Sequence, residues 1–379
     1  MYDAIVVGAR CGGAPTAMLL ARKGYNVLLV DRATFPSDTL STHFIQQPGV
    51  ALLQRWGLLD EVLSVTKPFT RAVIGTFEEQ TALDIPEVPG VPGVIAPRRP
   101  RFDKILQDAA VEAGAELRER FTFEDVIVED GRVVGIVGRD AERSGIEERA
   151  RIVIGADGRH SHVAEKVGAE MQRYIAPLTC GAYSYWSGYE TDAAEVYFGD
   201  DLDVLLFPTD NDQTVLIALR RVEEFDNMRR NLQDEYVNAL RKYPAVRDRL
   251  AAAEQEEWVR GGKDVPNFFR ACAGAGWALV GDAAYHKDPV PADGITDAFL
   301  GVELLADAVD TVLSGSADDE VALKKYEARR DEIATPHFET CLKTASFEIP
   351  RDKRAQHFIE HAIMRYSQGM TLVTEGAIT

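Results

Sequence analysis

A strand, a glycine-bearing turn, a helix and a second strand follow one another within residues 2–31, and few folds accept that order. The apolar run Ala4–Val7 enters a turn at Gly8–Gly13. A helix follows through Ala17, Leu19, Leu20 and Ala21 and stops at Gly24, where a left-handed cap needs no Cβ. Pro15 falls in the helix's first turn, where its missing N–H costs nothing. Val27–Val30 is a continuous apolar run, as expected of a parallel strand covered on both faces. Gly8 and Gly13 take the first and third glycine positions of a dinucleotide-binding turn, which serve a tight bend and close helix–strand packing; the middle position is Arg10. A pyrophosphate then rests on the helix N-terminus, and Asp31, 23 residues after Gly8, is the acid that accepts ribose hydroxyls. Two readings stand for Arg10: it lends its charge to the phosphates, or it points away.

The rest of the chain extends this unit. Residues 32–70 read as irregular and then helical over Val50–Trp56, and Phe102–Ala113 reads as a helix closed by Gly114. Gly131–Arg132 separates two valine-rich runs as a hairpin turn, and Val153–Gly155 and Trp277–Val280 are further buried strands. Tyr183, Tyr185, Trp186, Tyr189, Tyr197 and Phe198, then Val204–Phe207 and Val215–Leu219, give antiparallel strands rich in aromatics, followed by a charged helix near 222–250. The expected fold is α/β. A Rossmann-like nucleotide-binding lobe is assembled from 1–70, 95–177 and 266–312, a β-rich antiparallel substrate lobe from 71–94 and 178–265 is inserted into it, and 313–379 forms C-terminal helices.

Two later segments narrow the nucleotide. Ala156-Asp157-Gly158-Arg159 and Gly281-Asp282-Ala283-Ala284, with Pro289 and Gly294 downstream, end two of the later strands. With the opening turn they resemble the three signature motifs of the class A flavoprotein monooxygenases, the para-hydroxybenzoate hydroxylase-like family, over roughly residues 1–60, 95–170 and 270–312. The resemblance implies FAD. Carried over by position, it puts Asp31 at the adenosine ribose, with Arg32 also at the cofactor, Arg99 at the phosphates, Phe123 at adenine and Asp282 at the ribityl chain. Gly294 and Ile295 begin the helix whose N–H groups face the flavin N1–C2=O edge. Asp157 belongs to the motif linked with both FAD and the nicotinamide donor. By the same resemblance, Phe207-Pro208 roofs the flavin, with Tyr185 and Trp186 beside the substrate. Two departures stand out. The family's usual His after Gly-Asp-Ala-Ala is Tyr285, with His286 next, and the usual Pro-x-x-Gly-x-Gly reads Pro289-Val-Pro-Ala292-Asp293-Gly294. Asp293 then either lies beside the flavin ring, hydrogen-bonded or functional, or caps the helix.

Other features weigh against competing chemistries. The formal net charge of −19 disfavours nucleic acid and anionic membrane surfaces as partners. Four scattered cysteines suit a reducing compartment, and with no leader and no apolar run of about 18 residues the expectation is a cytoplasmic protein with no membrane span. His357-Phe-Ile-Glu360-His361 spells an inverted zinc-protease pattern, but a surface helix face is the preferred reading, and no metal is expected. His160 and His162 lack partners at ligand spacing and are read as supporting the cofactor's surroundings or a helix start. His43 is either a substrate base or a packed histidine.

The resemblance implies a monooxygenase. NADH or NADPH, docking transiently, reduces FAD; dioxygen adds at C4a; and the hydroperoxide hydroxylates an aromatic or polyketide-like small molecule. His43, His286 and Asp293 are the candidate bases. The alternatives are a flavin reductase of isoprenoid or alkene bonds, a halogenase, or a non-catalytic FAD-binding protein. The halogenase motif WxWxIP is absent, and Val204-Leu-Leu-Phe207-Pro208 keeps only the Phe-Pro end of the isoprenoid-reductase motif.

Overall fold

The computed structural model describes residues 1–375. Its opening strand, Tyr2–Val7, is the centre of a parallel sheet because Ala4 to Val7 are buried on both faces. It pairs in register with Val27–Val30 on one side and Ile146–Gly155 on the other; Glu116–Arg118 and Trp277–Leu279 extend the sheet outward. These registers align Val7, Val30, Gly155 and Leu279 at one edge. Gly8, Asp31, Asp157 and Asp282 therefore leave the sheet on the same side, where open α/β sheets bind ligands. The hairpin Thr122–Glu129/Arg132–Arg139 turns through Asp130 and Gly131, both at positive φ, which matches the strand twist.

A second, mostly antiparallel sheet runs Glu254–Gln255, Thr179–Ser187, Gln213–Arg221, Leu202–Pro208, Ala193–Tyr197, Arg71–Gly75 and Gln80–Asp84. Alternation divides its side chains. Cys180, Ala182, Trp186, Leu216 and Ala218 face one way, toward Tyr236, Leu240 and Val246. Tyr183, Tyr185, Ile217, Leu219 and Phe207 face the other, toward Phe44, Val290 and Ala292.

The single helix expected over 222–250 is three α-helices, Phe225–Met228, Leu232–Arg241 and Pro244–Leu250. Pro244 stands at the start of the last and forces Tyr243 into extended backbone (ψ 115°), which ends the helix before it. The helix expected from Phe102 starts at Arg99, because Pro100 is compatible with a first turn. Three long helices close the chain: Gly294–Leu313, Asp319–Ala345 and Arg351–Glu375. No helix among the described residues is long and apolar enough to cross a membrane.

Candidate functional site: a cavity at the carboxyl edge of the parallel sheet

The strand ends open on one cavity of about 1260 Å³. Its walls include Gly8, Arg10, Gly12, Asp31, Arg32, Arg99, Phe123 and Asp157, and farther along the chain Asp282, His286, Lys287, Asp288, Asp293, Gly294 and Ile295. Such a volume exceeds that of most drug-sized pockets and leaves room for a dinucleotide beside a substrate.

The opening turn closes only with glycine at both ends. Gly8 has φ +103°, and a Cβ there would strike the Ala156 carbonyl; a Cβ on Gly13 would strike the carbonyl of Gly8. Gly13 itself does not line the cavity; it lets the helix approach the strand. Asp31 accepts the Ala9 N–H through Oδ2 and the Ala33 N–H through Oδ1, each at 2.8 Å. Each oxygen keeps a lone pair, as a ribose diol requires.

Arg10 and Arg99 converge on one buried carboxylate. Arg10 Nη1 lies 2.5 Å and Arg99 Nε 2.9 Å from Asp103. Two guanidinium groups against one carboxylate leave one positive charge at the cavity wall, next to the helix N-terminus, which is the balance an anion such as pyrophosphate needs. Arg10 is thus both held by Asp103 and exposed to the cavity. Burial, opposed by Arg99 and reinforced by Asp103, pushes the Cys11 thiol up to about 12, so it is no nucleophile.

Asp157 is a turn-holder. It accepts the Ser161 hydroxyl at 2.5 Å and the His162 and Val163 N–H groups at 2.8 and 3.2 Å. His160 and His162 are exposed, and they meet Asp264 and Glu165 rather than each other. Asp282 faces the cavity with no hydrogen-bond partner among the described residues. His286 places Nδ1 on the Pro266 carbonyl and stacks on Phe268, leaving Nε2 free of that bond, and burial lowers its pKa.

His43 does not line the cavity. It is fully buried with Nε2 2.8 Å from the Tyr185 hydroxyl, and burial holds its pKa at about 3. Trp186 also turns away, donating to Tyr236 Oη at 3.0 Å, because strand alternation gives it the opposite face from Tyr183. Tyr185 lies under the Arg98 guanidinium and Phe207 against Phe44, so the sheet-side wall is instead Gly181, Ala182, Tyr183, Ile217 and Leu219.

Asp293 stands at the start of the helix Gly294–Leu313, but its side chain does not cap it. It meets Lys287 Nζ at 2.7 Å, His361 Nε2 at 2.7 Å and Arg365 Nη2 at 3.3 Å; Asp297, one turn later, also contacts Lys287 and Arg365. Burial alone raises the Asp293 carboxyl, but Lys287 and Arg365, with the His361 ring N–H hydrogen-bonded to it, outweigh burial and hold it well below the usual carboxylate range. The capping reading is therefore corrected: ion pairing outcompetes the helix amides for this carboxylate. The surface-face reading of residues 357–361 is corrected in part, because His361 is 1 % exposed while Glu360 is exposed. Asp293, His337 and His361 lie close enough to share a metal, but Lys287 and Arg365 already neutralise the carboxylate and would repel a cation.

Two helices thus begin at the cavity with no side chain on their first amides, Gly13–Arg22 and Gly294–Leu313. One suits a pyrophosphate and the other the electron-rich edge of a flavin, so the residues present fit FAD. Lys287, Asp288, Asp297 and Arg365 escaped the sequence reading, and His361 entered it only as part of the inverted zinc-protease pattern. The first two follow the Gly281-Asp282 motif directly, whereas nothing at 361 or 365 signals a partner some 70 residues away.

The family model described as an FAD binding domain matches residues 1–339. Among curated relatives, digeranylgeranylglycerophospholipid reductase 2 of Methanopyrus kandleri is 26 % identical over 91 % of this chain and 86 % of its own. A probable NADH-specific resorcinol 4-hydroxylase of Rhodococcus jostii is 25 % identical over 92 % of this chain and 66 % of its own. The crystal structure of pqsL, a probable FAD-dependent monooxygenase from Pseudomonas aeruginosa, superposes with a TM-score of 0.82 at 19 % identity, over 95 % of this chain and 99 % of that one. A cavity built for a dinucleotide, with an uncapped helix start at each of its two charged regions, agrees with that match along most of the sequence: the chain belongs to the FAD-binding-domain family of the class A flavoprotein monooxygenases and is an FAD-dependent oxidoreductase.

Proposed function

We propose that the protein is an NAD(P)H-driven monooxygenase that hydroxylates a small aromatic or polyketide-like molecule. Bound FAD supplies the redox and oxygen chemistry. The observation that carries the reading is the cavity's composition beyond the nucleotide: Gly294 and Ile295 on one side, and a mainly apolar wall of Gly181, Ala182, Tyr183, Ile217 and Leu219 on the other. That wall excludes water and suits a flat, largely apolar substrate.

Of the three candidate bases, His286 is the one this geometry favours. Its Nδ1–H is anchored on Pro266, which leaves Nε2 as the basic nitrogen of a residue that lines the cavity. Asp293 is committed to Lys287, Arg365 and the His361 ring, and His43 is sealed off. Asp31, Arg10, Arg99, Phe123 and Asp282 would bind and orient the cofactor, with Arg32 beside the ribose end.

A second reading, reduction of isoprenoid double bonds, is favoured by the archaeal reductase relative. Stopped-flow reduction by NADH and NADPH with a panel of phenols, followed by ¹⁸O₂ incorporation, separates the two. Hydroxylation predicts substrate-stimulated reduction and one labelled oxygen in the product. Saturation of an isoprenoid lipid under anaerobic conditions, with no phenol effect, would establish the reductase instead.

A further inference from the structure

The C-terminal helix Arg351–Glu375 lies beyond the residues that the family model matches, yet it reaches under the helix that begins at Gly294. From it, His361 and Arg365 meet Asp293, and Arg365 also meets Asp297. Lys287 completes the cluster from the loop after Tyr285. Lys287 and Arg365 balance Asp293 and Asp297, so the group is electrically neutral when His361 is neutral. Tyr285, buried, and the His337 ring, 5.0 Å from His361, also face it; His337 is held by Gln368 through Nε2 at 2.7 Å.

His361 gives its Nε2–H to Asp293, which makes Nδ1 the basic nitrogen, and Nδ1 is buried with no partner among the described residues. Lys287, Asp293 and Asp297 line the cavity, whereas His361 sits one shell behind them. Negative charge arriving in the cavity at Gly294 and Ile295 would upset this neutrality in a region of low dielectric, where unscreened charge is costly. Burial pushes the Asp297 carboxyl up, but it stays paired with Lys287 and Arg365, which leaves the two histidines to answer. His337 is kept neutral by burial, with Arg365 and His361 as neighbours, its pKa at about 2. For His361 burial also favours the neutral form, but a carboxylate in direct contact opposes it.

We propose that His361 is a positioning residue that couples flavin reduction to proton uptake: neutral while bound FAD is oxidised, it takes a proton at Nδ1 when FAD is reduced. A hydride from the nicotinamide brings two electrons and one proton to the flavin; a second proton comes from solvent to His361 and leaves again on reoxidation. This rests on the reading that the flavin's pyrimidine edge faces Gly294.

The test is the midpoint potential of the FAD-loaded protein between about pH 6.5 and 8.5. Each proton coupled to a two-electron reduction changes the equilibrium tenfold per pH unit, about 30 mV. Wild type should fall by about 60 mV per unit, a hundredfold change, while the reduced flavin keeps its anionic spectrum. His361→Gln, which preserves an N–H toward Asp293, should fall by about 30 mV per unit. A wild-type slope of about 30 mV, or equal slopes in the two proteins, overturns the proposal. Should the glutamine variant fold poorly, His361→Asn takes its place, and the wild-type slope decides by itself whether a second proton exists. A protein that holds no FAD would refute the reading of the site; a loaded protein with the shallow slope refutes only the role of His361.

Discussion

Lys287→Met is the sharpest probe of the charge cluster beneath the Gly294 helix. Lys287 is 3 % exposed and contacts both Asp293 and Asp297. Its removal leaves the buried Asp293 and the half-buried Asp297 carboxylates against Arg365 alone, a net charge of −1 where wild type has none. Breaking a buried pair by deleting one partner costs roughly 3–5 kcal/mol. At the unfolding entropy typical of globular proteins, a chain of 379 residues loses roughly 1.3 °C per kcal/mol, so the expected drop in Tm is roughly 4–6 °C. The double variant Lys287→Met/Asp297→Asn restores neutrality and should recover most of the loss, a coupling far from additivity. The pH dependence follows from His361, which alone can supply the missing positive charge. Its folded pKa then rises above the unfolded value, so the compensation is fully present below about pH 6.5 and lost as pH rises through the new pKa. The assay is thermal unfolding by circular dichroism from pH 6 to 9, with flavin content measured beside it. A single variant as stable as wild type, or a double variant weaker than the single, would refute the electrostatic account.

Two further outcomes are expected. Gly13→Ala, whose Cβ meets the Gly8 backbone, should destabilise the apoprotein by about 1–3 kcal/mol, whereas Gly12→Ala, with contacts no closer than 3.7 Å, should fold normally but hold FAD more weakly; equal melting curves for the two would contradict the packing argument. Asp288 is buried on Thr179 with its carboxyl pushed up to about 7, chiefly by burial. Its contribution is fully present below the unfolded carboxylate pKa and lost as pH rises toward neutrality, so Asp288→Asn should match wild type near pH 4 and exceed it in stability at pH 8; a gain that shrinks with rising pH would reverse the sign.

The nucleotide end of the site was legible because its residues are local. Gly8, Gly13 and Asp31 lie within one strand–helix–strand unit, where spacing and geometry are the same information. The strand ends at Asp157 and Asp282 could also be placed, since a parallel sheet brings its carboxyl edges together. The substrate side was less legible. Trp186 and Tyr185 are correctly strand residues, but the face each takes depends on register, and a shift of one residue exchanges the faces. His43 allowed two readings by type, a substrate base or a packed histidine, and it is packed against Tyr185. The Asp293 environment could not be read, because its partners His361 and Arg365 arrive from the last helix through tertiary packing that no local pattern encodes.

The measurement closest to the central claim is calorimetric titration of apoprotein with FAD, run on wild type, Asp31→Ala and Asp282→Ala. Wild type should bind one FAD per chain. Each variant loses hydrogen bonds from a charged group, about 1.5–3 kcal/mol, and should bind roughly 10- to 100-fold more weakly. A wild-type protein that takes up no FAD, or two variants that bind it undiminished, would contradict the assignment of this cavity to the flavin.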